Sequence, residues 1–363
     1  MPMADTRFDD RRRRLASELA GRRIDDMLVT NLTHVRYLSG FSGSNGSLLV
    51  SKDRTASIAT DGRYISQIAR EVPDIAAIIE RNTPPALLRG VAEGRRVGYE
   101  ADYVSVAMLE SLEKNLPEGV SLVPVTGVIE DLRLVKDSLE LTKLTEVAAL
   151  GVQALDELIQ AGELRAGRTE REVAADLEFR MRRLGSEHVS FDTIVASGPN
   201  AALPHYAAGD RTITEGDLVT IDFGAHRHGY NSDMTRTFAI GQLDPQLKEI
   251  YEVVLAAQLA GVKAATPGTE LVDVDKACRE IIEDAGYGDF FVHSTGHGIG
   301  LEVHERPSAA QNAQGSLAEN MTVTVEPGIY LPDKGGVRIE DTLIITSGAP
   351  RIITNWAKEL IYL

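Results

Sequence analysis

A layered α/β domain followed by a larger α+β domain is the fold class that this chain of 363 residues predicts. Two observations carry the prediction. In the first third, short apolar runs bounded by Gly, Asp or Pro alternate with segments whose apolar residues recur at helical spacing, the order of a layered sheet-and-helix domain. In the remainder, an order of helix, helix, strand, strand occurs twice, which predicts two similar halves related by a pseudo-twofold axis. The halves show no residue-level repeat, so the prediction concerns order alone. The change falls within VTGVIEDLRLVKDSLEL at 125–141, where a strand-like segment gives way to charged helix, and domains of 1–132 and 133–363 follow.

The strands of the first domain are read at DDMLVTN (25–31), SLLVS (47–51), TASIATD (55–61), IAAIIE (75–80) and RRVGYE (95–100). Between them, RYISQIAREV and SVAMLESLEKNL carry helical spacing. The basic run RRRR at 11–14 leads into LASELA and is interleaved with acids, so it reads as a solvated first helix rather than a targeting signal. In the second domain a long helix near 139–162 precedes another at 169–184. There Thr169 and Glu172 have capping-box spacing, and Val173, Leu177, Met181 and Leu184 line one face. Strands at FDTIVAS and IDFGAHRHGYNSDMTRTF complete the first half. Helices near 245–265 and 270–285, then strands TVTVEPGIYL and GGVRIEDTLIIT, make the second.

Composition excludes several classes of function. An apolar fraction of 43% and a charged fraction of 25% are those of a folded globular protein. Lys+Arg 38 against Asp+Glu 54 leaves a net charge of -16, which argues against nucleic acid or an anionic membrane as partner. No run is long and apolar enough for a signal peptide or a bilayer span. The single cysteine, Cys278, reads as packing on a helix and makes a reducing, cytoplasmic compartment the expectation.

Strand parity locates the acids. In DLVTIDFGA, Val219, Ile221 and Phe223 share one face and Thr220 and Asp222 the other. In NSDMTRTF, Asp233 falls with Thr235 and Thr237. If the hairpin closes with Ala225 opposite Tyr230, Asp222 and Asp233 become cross-strand neighbours with Cβ atoms about 5 Å apart, a repulsive pair unless a cation neutralises it. The second half repeats the pattern: Glu326 lies with Thr322 and Thr324, and Glu340 with Arg338 and Thr342. Four carboxylates on polar faces, converging, would be balanced by two divalent ions. A set of oxygens with one nitrogen suits manganese or a similar ion better than thiolate-bound structural zinc. The nitrogen is expected from HSTGHGIGLEVHE. Its glycines argue against a helical pairing of His293 with His297, so a strand or open loop presents one histidine as ligand and leaves others for substrate. GHGIGL fits neither GxGxxG nor a P-loop.

These segments in order, IDFG, NSDMTRTF, HSTGHGIGLEVHE, TVEPGIY and GGVRIEDT, resemble the pita-bread metallopeptidases: methionine aminopeptidases, Xaa-Pro aminopeptidases and prolidases. The match covers the chain from about residue 140 onward. NLTHVRYLSGFSGSNG and TDGRY resemble the extra N-terminal domain of the proline-directed branch and of creatinases. The resemblance implies two metal ions about 3.5 Å apart, manganese first, with cobalt or zinc as alternatives. It implies Asp222 on one ion, His297 and Glu326 on the other, and Asp233 and Glu340 bridging, with Arg338 supporting the cluster. It also implies Glu326 as proton acceptor, His205 lining the cleft, His304 on the reacting carbonyl and His293 beside the proline pocket, in a homodimer. His226 and His228 are read as solvated in the turn.

The implied substrate is a peptide with proline at the second position, whose missing N–H and fixed ring defeat ordinary peptidases. One departure bears on the subclass. In VHERPSA, Ser308 stands where several prolidases carry an arginine that clamps a dipeptide carboxylate. That makes an Xaa-Pro aminopeptidase the leading expectation, a prolidase the alternative, and a non-catalytic peptide-binding protein on the same fold a distant third.

Overall fold

The computed structural model describes residues 6–363. The chain divides into two compact units, one ending at Arg133 and the other running from Leu134 to Leu363.

The first unit is built on a mixed six-stranded sheet. Its strands lie in the order Ala77–Ile79, Ala56–Thr60, Gly46–Ser51, Asp26–Val29, Arg96–Glu100, Ser121–Val125. Five of these occupy segments read as strands from the sequence; Ser121–Val125 is the sixth, parallel to Arg96–Glu100. Beyond it Val128–Leu134 is a helix, so the strand-like reading of the 125–141 segment applies only to its first residue. Leu28, Ala59, Val97, Leu87, Leu88 and Leu112 form one core. The first helix, Thr6–Gly21, is not solvated along its whole length. Arg11 and Arg12 are 5% and 7% exposed; Arg11 donates to the Tyr37 carbonyl and Arg12 to that of Leu38, each at 2.9 Å. A basic run reads as a surface feature because the sequence does not reveal which carbonyls a neighbouring helix end leaves unpaired.

The second unit contains the two halves. Helices Ser138–Gln160 and Glu170–Arg183 precede a three-stranded antiparallel sheet with Leu218–Phe223 between Ile194–Ser197 and Met234–Ala239. The capping box at Thr169 and Glu172 forms. Helices Pro245–Ala264 and Leu271–Asp284 then precede short antiparallel pairings, Thr322–Val325 with Asp341–Ile344 and Gly328–Leu331 with Gly335–Arg338. Each half has its own core. Val173, Leu177, Met181, Val219, Ile221 and Phe223 belong to one, and Val274, Cys278, Val323, Val325, Val337 and Ile339 to the other. The apolar strand faces are thus used as parity predicts. Burial raises the Cys278 thiol to about 12, in keeping with packing.

The polar strand faces do not meet bulk water. They meet each other, through threonines. Thr237 donates to the Arg338 carbonyl at 2.9 Å, Thr342 to that of Asp233 at 2.8 Å, and the Glu340 amide to the Thr235 carbonyl at 3.1 Å. Arg236, 1% exposed, pairs with Asp341 at 2.8 Å and donates to the carbonyl of Glu340, so the seam is fixed by a buried ion pair as well. Losing one partner of such a pair costs about 3–5 kcal/mol.

Candidate metal centre

The hairpin that joins strands Leu218–Phe223 and Met234–Ala239 sets the first two acids. Its register pairs His226 with Asn231 and Arg227 with Tyr230, so the turn is His228-Gly229, not Arg227-His228. Both turn residues have positive φ, 54° and 85°, the signature of a type I′ turn, which matches the twist of the flanking strands. Asp222 consequently stands opposite Thr235 and not opposite Asp233. The expected direct pairing is off by two residues. A shift of two preserves the face, so the aspartates remain diagonal neighbours on the same side.

The other ligand candidates come from the second half. His297 lies on Gly296–Gly298, a strand paired with Glu305–Ala309. Its flanking glycines permit close approach: a Cβ at Gly296 would sit 1.9 Å from the Thr324 carbonyl oxygen, and one at Gly298 would sit 2.2 Å from that of Arg306. His297 Nδ1 faces the Gly298 carbonyl at 3.0 Å, which fixes a proton there and leaves Nε2 as the nitrogen that bonds a carboxylate when protonated and would take an ion once deprotonated. That Nε2 lies 3.2 Å from Glu326 and 3.5 Å from Asp233. Glu326 directly follows strand Thr322–Val325, and Glu340 directly precedes strand Asp341–Ile344.

Donor atoms of Asp222, Asp233 and Glu340 all lie within 4.8 Å of one another, and so do those of His297, Glu326 and Glu340. Glu340 belongs to both groups. Asp233, His297 and His304 form a third. Two carboxylate oxygens here, Asp222 Oδ1 and Glu340 Oε1, are buried with no hydrogen-bond partner among the described residues. Burial, with the charges of Glu340, Asp222 and Glu326, pushes Asp233 well above the usual carboxylate range; burial and the charges of Glu326 and Asp222 do the same to Glu340. Burial also opposes ionisation of Glu326, but the hydrogen bond and charge of His297, with the charges of His293 and Arg338, bring it down to about 2. Crowded acids with orphaned oxygens and one imidazole are a donor set for hard divalent cations, so the residues present fit such ions.

Around the acids is a cavity of about 460 Å³ whose lining includes His205, His293, His304 and Arg338. Arg338 donates to Asp222 at 2.6 Å and to the Tyr330 hydroxyl at 2.9 Å, and that hydroxyl meets His293 Nε2 at 2.7 Å. Burial lowers His293 below the usual imidazole value; burial, then the neighbouring His297, lowers His304. The His304 and His297 rings are 4.4 Å apart.

All the proposed ligand and site residues therefore line or adjoin one cavity, and His226 and His228 stand outside it. His228 is exposed as expected. His226 is not: it stacks on His188 at 3.8 Å, its cross-strand partner, and its Nδ1 is 3.3 Å from Glu187. The turn's sequence names no such partner. Reading the sequence also missed Tyr330 and Thr235. Thr235 donates to Glu340 at 2.8 Å, and its parity with Asp233 was a usable signal. Tyr330 becomes visible once Gly328–Leu331 is folded against Gly335–Arg338.

The model of metallopeptidase family M24 matches residues 142–347, which contain every ligand candidate. The chain belongs to that family. A creatinase/prolidase N-terminal domain model matches residues 11–135 of this M24 metallopeptidase. The uncharacterized peptidase YqhT of Bacillus subtilis is 44% identical over 94% of this chain and 96% of its own length. The Xaa-Pro dipeptidase of Pyrococcus furiosus is 38% identical over 93% of this chain and 95% of its own. Among solved structures, an Xaa-Pro dipeptidase from Bacillus anthracis matches with a TM-score of 0.93 at 39% identity, covering 98% of this chain and 100% of that one. The fold is the pita-bread fold, and the chain is an enzyme of a divalent-metal family. No helix among the described residues is long and apolar enough to cross a membrane.

Proposed function

We propose that this M24 enzyme is an Xaa-Pro dipeptidase working with two divalent ions, manganese first among them. The observation that carries the reading is the overlap of the two donor groups at Glu340, whose other members Asp222, Asp233, His297 and Glu326 line a cavity of about 460 Å³. Asp222, Asp233, His297, Glu326 and Glu340 would hold the ions. When bound, the ions supply Lewis acidity, which lowers the pKa of the attacking water and offers positive charge where the oxyanion develops.

The chain's own groups do the rest. Glu326 is ionised at neutral pH and accepts the proton of the water. His304, kept neutral by burial and by His297, hydrogen-bonds the reacting carbonyl. His293, held at Nε2 by Tyr330, flanks the proline, and His205 closes the cleft on the side of Pro204 and Tyr206. Phe191, Ile194 and Pro204 add apolar wall suited to a ring that brings no N–H.

The dipeptidase reading draws support from relatives of that name matched over more than nine-tenths of this chain, and from a cavity toward the small end of ligand pockets. The sequence alone led with an Xaa-Pro aminopeptidase, and one observation favours that second reading. Ser308 is the exposed cross-strand partner of His297, so the position holds no cation for a substrate carboxylate. Hydrolysis of Ala-Pro against Ala-Pro-Ala by the manganese-loaded enzyme decides: cleavage of the dipeptide and not of the tripeptide is expected, and preference for the tripeptide overturns the choice. The expected assembly is a homodimer, read from the mass in solution.

A further inference from the structure

The loop carrying His293 is fastened from behind by two side chains of helix Leu271–Asp284. Asp275 and Arg279 stand one turn apart and are joined twice, Arg279 Nε to Asp275 Oδ2 at 2.8 Å and Nη2 to Oδ1 at 3.0 Å. The same guanidinium donates to the carbonyls of Phe291 at 3.0 Å and His293 at 2.9 Å, and lies 4.1 Å from the centre of the Phe291 ring. Asp275, 1% exposed, also accepts from the Thr295 amide at 3.1 Å and the Thr295 hydroxyl at 2.9 Å. The Thr295 carbonyl in turn takes the amide of Glu326 at 2.8 Å.

This stretch lies between the short helical turn Gly288–Phe290 and strand Gly296–Gly298, so no ladder fixes its backbone. The fork of Arg279 supplies what a ladder would. By gripping alternate carbonyls it presents Val292, 66% exposed, outward and sets the backbone from which His293 projects. The imidazole is then held at both nitrogens, Nδ1 by the Ser294 carbonyl at 2.8 Å and Nε2 by Tyr330 at 2.7 Å. The first half of the unit has a counterpart made of other residues. Glu170, fully buried, accepts from the Ser197 amide and hydroxyl at 2.8 and 2.7 Å, from Asn200 at 3.0 Å and from the Gly209 amide at 3.3 Å. It fastens the loop that carries His205.

We infer that Asp275 and Arg279 are positioning residues: through the carbonyls of Phe291 and His293 they set where the His293 imidazole stands in the cavity, without touching substrate. The inference rests on the proposed function in taking His293 to contact substrate.

A double-mutant cycle of Arg279→Met and His293→Ala in the full-length, manganese-loaded enzyme tests it. Arg279→Met is expected to keep its metal content and lower kcat/KM for an Xaa-Pro substrate by about 10- to 100-fold, the scale of a small misplacement. His293→Ala should lose at least as much, and the double variant no more than His293→Ala alone. Arg279→Lys, which keeps the charge but not the fork, should recover part of the loss. Multiplying losses, loss of metal from Arg279→Met, or unchanged kinetics in it would each overturn the inference. Hydrogen exchange provides a readout independent of activity. The amides of Phe291 and Thr295, bonded to the Gly288 carbonyl and to Asp275, are expected to exchange at least about tenfold faster in Arg279→Met, since the carbonyl contacts that pin the backbone carrying them are removed; unchanged exchange overturns the anchor. If His293→Ala alone leaves the kinetics intact, the role given to His293 fails, and the exchange result still decides the anchor.

Discussion

Arg338 and Asp222 are joined at 2.6 Å although they come from opposite halves of the catalytic unit and are 116 positions apart. The guanidinium is buried and bonds Tyr330 and Thr235 as well, so it orients Asp222 and leaves the second carboxylate oxygen directed into the site. Arg338→Met should weaken manganese binding by about 10- to 100-fold, the usual effect of removing a group that orients a metal ligand. Calorimetric titration of the metal-free protein reads this directly, and wild-type affinity in the variant would contradict the role.

The corrected hairpin separates its four polar residues into two kinds. Asp233→Asn keeps the shape and removes the charge of a group shared between donor clusters, so retention of both ions and hydrolysis should be lost. His228→Gln, at the exposed turn, should alter neither. His226→Gln should keep the metal and cost up to about 1 kcal/mol through its lost stack on His188. Metal content per chain and thermal melting distinguish them; an Asp233→Asn enzyme that still held two ions would refute the assignment.

The site's acids also predict how metal and pH interact. Asp233 and Glu340 have raised values in the ion-free protein, so the stability they contribute is present below the ordinary carboxylate range and is lost as pH rises through their folded-state values. Glu326 acts in the opposite sense: depressed to about 2, its contribution is present above the ordinary glutamate value and fades only in strong acid. Ions bind the deprotonated acids and so reverse the loss. The rise in melting temperature on adding manganese should be larger at about pH 8 than at about pH 5. The reverse order would be incompatible with protonated Asp233 and Glu340 in the ion-free site.

Much of this site was legible in the sequence because strand parity is local. Alternation alone placed Asp222, Asp233, Glu326 and Glu340 opposite the apolar residues that build the two cores, and glycines at 296 and 298 spoke against a helical His293–His297 pair. The capping box at Thr169 and the repeated order of elements were equally local. What the chain's order did not determine was distance between segments. The register of the hairpin depended on His228 and Gly229 both adopting positive φ, which moved Asp222 from Asp233 to Thr235. The burial of Arg11 and Arg12, the stack of His226 on His188, and the bonds of Tyr330 and Arg279 are likewise contacts between remote segments. The sequence by itself determined which side chains stand on a polar face. Only the tertiary structure decided that these faces close on each other rather than on water, because each half must bury its apolar face in its own core, and that leaves the acids to meet at the seam.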